Sequence, residues 1–163
     1  MINEVNTIVY ASDLGEGSRP AFRIAVQEAI KHEAQIIFLN VIAPMSDLTE
    51  ATIELYLSKT AKKKQVQKLL DATKARIEQR IEDFLHSELS SGVCLPVKPE
   101  IAVRVGVADK VILQVAKQCN AQMIVMGDRE SNAMSRMFLG STALKVLNAS
   151  HIPVLIVPLP GTK

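Results

Sequence analysis

The chain has 163 residues, 48% of them apolar, and sets 19 Lys and Arg against 17 Asp and Glu for a formal charge of +2. That length and composition support one domain over 1–163 with a core that needs no metal or disulfide staple, and so small a charge creates no field favouring nucleic acid or an anionic membrane. No window reaches the roughly 20 apolar residues of a membrane span, and MINEVNTIVY lacks a basic region followed by a signal-peptide core, so a cytoplasmic protein is expected. Cys94 and Cys119 lack metal-ligand spacing and read as reduced, structural thiols, with a disulfide between them left open.

Thr7 to Ala11 (TIVYA) and Ile36 to Ile42 (IIFLNVI) are β-rich runs, and between them Phe22, Ala25, Val26, Ala29 and Ile30 recur at helical spacing within Arg19 to His32. Ser46 to Ala61 fits either a short helix or a connection. From Val66, the residues Leu69, Leu70, Thr73, Ile77, Ile81, Phe84, Leu85 and Leu89 keep a 3.6-residue rhythm, which predicts a long amphipathic helix inside a helical insertion at about 46–90. The Lys62, Lys63, Lys64 triplet reads as a solvated helix start. Glu100 to Val105 then reads as a strand, Ala108 to Gln118 as a helix, Gln122 to Met126 as a strand, Ser141 to Ala149 as a helix and Pro153 to Val157 as a final strand. Strands alternating with helices predict a doubly wound α/β domain with a parallel sheet covered on both faces. Ligands of such sheets sit beyond the carboxyl ends of the strands, near which Asp13, Val41 and Gly127 lie.

Val125 to Ser141, VMGDRESNAMSRMFLGS, leaves an apolar run at Gly127 and reaches Gly140 at a helix start. Glycine lets main chain approach a ligand closely, and a Gly-Ser-Thr helix start aims free N–H groups at an anion. Asp128 and Glu130 have the wrong sign for holding phosphate. A phosphate about 4 Å from a carboxylate is opposed by roughly 4 kcal/mol at an effective dielectric of 20.

IVYASD closed by Asp13, the NVIAP exit from the second strand, RVGVADKVILQVAK, IVMG, the spaced Gly-Ser pair and HIPVLIVP together resemble the universal stress protein family nearly end to end. The resemblance implies a five-stranded open sheet and an adenine-nucleotide loop whose signature is Gly, two residues, Gly, nine residues, then Gly with Ser or Thr. Gly127, Gly140 and Ser141 are in register, Glu130 stands in place of the second glycine, and Asp128 fills a position the motif leaves free. Carried over residue by residue, Asp13 and Val41 would meet ribose and adenine, flanked by Ala11, Ser12 and Met126. Gly127 would lie under the ribose and first phosphate, and Gly140, Ser141 and Thr142 would hold phosphate oxygens. Bland roles stand beside these: Asp13 as a tie for the following loop, and Ser141 as a helix N-cap. Arg129 and Arg136 have two roles open to them, binding phosphates or pairing with Glu130 to close the pocket.

The resemblance implies ATP or AMP as ligand, with Mg²⁺ accompanying it in one version, and a regulatory or protective homodimer through Pro153 to Val157. The alternative is a family member that binds no nucleotide, its pocket closed by Glu130, and acts through an unknown protein partner. An enzyme is the remaining class. DLGEGS at Asp13 to Ser18 has neither a Ser-Gly-Gly opening nor a phosphate-loop Lys, and Pro20 stands where a dinucleotide fingerprint has its third glycine. His32, His86 and His151 are dispersed without paired metal spacing or an evident carboxylate partner. Slow ATP hydrolysis or autophosphorylation at Ser131, Ser135 or Ser141 is left as the weakest alternative.

Overall fold

A computed structural model of the chain describes residues 4–13, 15, 17–44, 46, 58–88, 94–128 and 139–159. The elements run β1 (Thr7–Ala11), α1 (Arg19–His32), β2 (Gln35–Ile42), α2 (Lys59–Glu88), β3 (Glu100–Val105), α3 (Ala108–Gln118), β4 (Met123–Asp128), α4 (Ser141–Ala149) and β5 (Val154–Pro158). All five strands are parallel in the order β3-β2-β1-β4-β5, the doubly wound architecture expected. No helix among the described residues is long and apolar enough to cross a membrane.

Period-two alternation divides the strands between two cores. Ile8, Tyr10, Ile36, Phe38 and Val125 face α1 and α2, while Val9, Ala11, Ile37, Leu39, Ile124 and Met126 face α3 and α4. Each buried strand therefore reads as a continuous apolar run. Small residues let α1 lie close to the sheet: Ala21, Ala25, Val26 and Ala29 are all buried on its inner face.

The structure changes two boundaries that matter. Helix α2 starts at Lys59 rather than near Val66, so the lysine triplet lies within its first turns. Its apolar stripe is also shorter than the periodicity suggests. Thr73, Ile77, Ile81 and Phe84 are buried, whereas Leu69 is 54% exposed. Leu89 and residues 47–57 lie outside the described residues. Strand β4 continues through Gly127 to Asp128, two residues past the apolar run, because Gly127 pairs with Val157 and Asp128 with Pro158. Pairing with β5 extends the ladder where side-chain hydrophobicity has ended.

Helix α2 is tied to the sheet by aromatic rings. Phe84 and Phe22 of α1 have ring centroids 3.9 Å apart, Phe22 and Phe38 are 5.1 Å apart, and Tyr10 meets both Phe22 and Phe38 edge-on. Phe84→Ala is expected to reduce the unfolding free energy by about 3–5 kcal/mol, seen as a lower denaturant midpoint at unchanged slope. Leu69→Ala, on the exposed part of the same helix, is expected to change it by no more than about 0.5 kcal/mol.

Candidate functional site

At the centre of the sheet the connections diverge: β1 passes through α1 to β2 on one side, and β4 passes through α4 to β5 on the other. The carboxyl ends of β1 and β4 are thereby left with a crevice between them, the usual ligand position in such sheets. A cleft of about 350 Å³ opens there. Leu39, Val41, Ile112 and Met126 supply apolar surface, and the loop after β1 and the start of α4 supply polar groups.

Ala11, Ser12, Asp13, Val41, Met126, Gly127, Gly140, Ser141 and Thr142 all line this cleft. Arg129 and Glu130, with Ser131, Ser135 and Arg136, lie outside the described residues. Tyr10, Ser18, Ala108, Ile112 and Leu159 also line it, although the sequence motif does not single them out. Only the topology brings α3 and the residue after β5 to this crevice.

Backbone bonds shape the loop after β1. The Ser12 N–H donates to the Leu39 carbonyl at 3.0 Å, and Asn40 Nδ2, on a buried side chain, donates to the Ser12 carbonyl at 2.9 Å. Asp13 Oδ1 accepts from the Gly15 N–H at 3.0 Å, so the loop-tying role anticipated for this residue is present. Gly17, at φ 86°, takes the left-handed turn that brings the chain to α1. Below the loop, the Tyr10 hydroxyl donates to the Ser18 carbonyl at 3.4 Å, and burial pushes the phenol pKa above its ordinary value.

The opposite wall is built at α4. Gly140, not Ser141, is the N-cap residue, with φ −54° and ψ 146° and its carbonyl accepting from the Leu144 N–H at 2.9 Å. Ser141 is therefore inside the first turn, and the N-cap role anticipated for its hydroxyl is not the one observed. Gly140 has no side chain with which to cap this turn, and by helix geometry the N–H groups of Ser141, Thr142 and Ala143 have no intrahelical acceptor. They form the positive end of the helix dipole beside the cleft.

Asp128 has a definite position despite filling a position the motif leaves free. Its Oδ1 accepts from the Gly140 N–H at 2.8 Å, and its carbonyl accepts from the Leu159 N–H at 3.2 Å. One residue thus joins the end of β4, the start of α4 and the exit of β5. A sequence signal existed: an acid at a strand end, twelve residues before a glycine that opens a helix.

The remaining candidates lie elsewhere. His32 does have a carboxylate partner, Glu28 Oε2 at 3.3 Å on the outer side of α1, away from the cleft. Both cysteines are free thiols, Cys94 exposed and Cys119 half-buried, with burial pushing the Cys119 thiol pKa up. Among the described residues no group of three or more His, Cys, Asp or Glu is placed to share a metal ion.

A family model described as the universal stress protein family matches residues 4–158. A universal stress protein of Thermus aquaticus is 28% identical over 152 residues, covering 93% of this chain and 97% of its own. Another, from Methanocaldococcus jannaschii, is 27% identical over 161 residues, covering 97% and 85%. Among solved structures, the universal stress protein UspA of Lactobacillus plantarum matches with a TM-score of 0.68 at 21% identity, over 96% of this chain and 99% of that one. A universal stress protein solved in complex with cAMP matches with a TM-score of 0.61 at 22% identity, over 95% and 98%. These structural likenesses show the fold.

Gly127 makes its own requirement of the site, because a Cβ there would stand 2.5 Å from Leu159 Cδ1 and 2.9 Å from its Cγ. Gly127→Ala is expected to destabilise the chain by about 1–3 kcal/mol, as overpacking does. In a Leu159→Ala background the penalty should largely disappear, a coupling that a double-mutant cycle of thermal unfolding measures.

Proposed function

The chain belongs to the universal stress protein family, and on that premise we propose that it is a non-enzymatic regulatory protein that binds an adenine nucleotide in the cleft between β1 and β4. The observation that carries this reading is the start of α4, whose cap residue Gly140 has no side chain to reach the next amides, opening on a cleft with apolar surface from Leu39, Val41, Ile112 and Met126. A volume of about 350 Å³ falls in the range of small-molecule sites, roughly 300–1,000 Å³. The relative solved with cAMP has the same fold and supports an adenine ligand as the class to test.

In this reading adenine lies against Val41 and Met126, with the main chain at Val41 reading the base edge. Asp13 meets the ribose, Gly127 lies beneath it, and Gly140, Ser141 and Thr142 receive phosphate oxygens at the helix dipole. ATP and AMP are both candidates, and Mg²⁺ would accompany ATP by bridging its phosphates to carboxylates.

We further propose a homodimer through Pro153 to Val157. Strand β5 ends the sheet, and Val154, Leu155 and Ile156 are only half-buried in the single chain. An apolar edge that pairs with its copy about a two-fold axis removes the aggregation hazard of that edge.

Calorimetry with AMP and ATP, with and without Mg²⁺, should show binding tighter than millimolar, and Asp13→Ala should weaken it about tenfold or more, the worth of one charge-assisted hydrogen bond. Neither heat nor a thermal shift at millimolar nucleotide would sink the nucleotide reading; phosphate release that depends on Asp13 would show an enzyme instead. Light scattering should give twice the chain mass at micromolar concentration, and Val154→Lys or Ile156→Lys should halve it. A monomeric wild type would remove the dimer.

A further inference from the structure

We propose that the Asp128 carboxylate sets how much phosphate charge the cleft accepts, so that the site takes AMP in preference to ATP when no divalent cation is present. The inference rests on the adenine reading of the cleft and adds its charge selectivity. Asp128 Oδ1 already holds the Gly140 N–H at 2.8 Å, the amide immediately before the first turn of α4. An anion bound at the next amides, at roughly 2.9 Å, stands within about 4–6 Å of that carboxylate. The two compete for the same positive helix end.

The described residues lining the cleft include two carboxylates, Asp13 and Asp128, and no Lys or Arg. A phosphate charge about 5 Å from a carboxylate is disfavoured by roughly fourfold where water screens fully and by several hundredfold at an effective dielectric of 20. ATP carries about two more charges than AMP and meets this repulsion more strongly. A nucleoside meets none of it.

Asp128 also holds β4, α4 and Leu159 together, so its charge must be separated from its hydrogen bond. Asp128→Asn does this: an amide oxygen still accepts from Gly140 while the negative charge is gone. Calorimetry in a chelator would compare adenosine, AMP and ATP on wild type and Asp128→Asn, with circular dichroism confirming the fold; Asp128→Ser repeats the comparison as a second uncharged variant. Wild type should bind AMP more tightly than ATP. The substitution should leave adenosine affinity within about twofold and raise ATP affinity about tenfold or more.

If adenosine binds but the ratio of ATP to adenosine affinity is the same in wild type and both variants, the carboxylate does not act on phosphate and the proposal fails. Equal changes for all three ligands would make Asp128 a purely structural strap and overturn it too. Wild type preferring ATP to AMP without a divalent cation would overturn it without any variant. If adenosine binds to none of the proteins, the adenine reading itself falls and takes this proposal with it.

Discussion

The constraint on which the molecule depends is that a five-stranded parallel sheet has to be covered on both faces. Parallel neighbours cannot be joined by tight turns, so each connection must cross over, and here each described crossover contains a helix. Alternate residues of one strand serve different cores: Tyr10 packs toward α1 and α2, and Val9 and Ala11 toward α3 and α4. Because β1 is central and its connection leaves in the direction opposite to that of β4, the two strand ends cannot both be roofed. The cleft follows from the requirement to bury the sheet.

What converges on that opening is mostly backbone. Gly127 continues β4 to the edge of the cleft because Leu159 folds over the space a Cβ would take. Asp128 follows with its carbonyl bound to Leu159 and its carboxylate to Gly140. A single dipeptide thus fixes the relative positions of β4, β5 and α4, and the N–H groups of α4 are aimed before any ligand arrives. Pre-aimed donors lose little freedom on binding, which favours ligand capture over closure around the ligand.

The fold was legible because the covering helices show a 3.6-residue apolar rhythm, whereas runs such as IIFLNVI and PVLIV are continuous, short and rich in β-branched residues, as buried parallel strands are. Periodicity overstated what α2 buries, since Leu69 keeps the rhythm yet is 54% exposed, and the helix also starts earlier than its apolar stripe. The cleft was legible in part. Glycines and Asp13 stand out by residue type, but Ile112 and Leu159 reach the cleft only through crossover geometry, which no local pattern encodes. Asp128 was undervalued for another reason: a motif ranks positions by what they usually hold, and a carboxylate that bonds a distant amide is visible only when the two meet in space.

That bond also bears on what kind of binder the domain can be. Without ligand, the start of α4 already has a carboxylate on its leading amide, a favourable contact of an acid with the positive end of a helix. On the proposed nucleotide reading, phosphate gains less from this helix than it would from one with no acid nearby, because part of the dipole is already satisfied. The ligand-free chain is stabilised and the bound state is stabilised less, so affinity is lowered without any loss of site geometry.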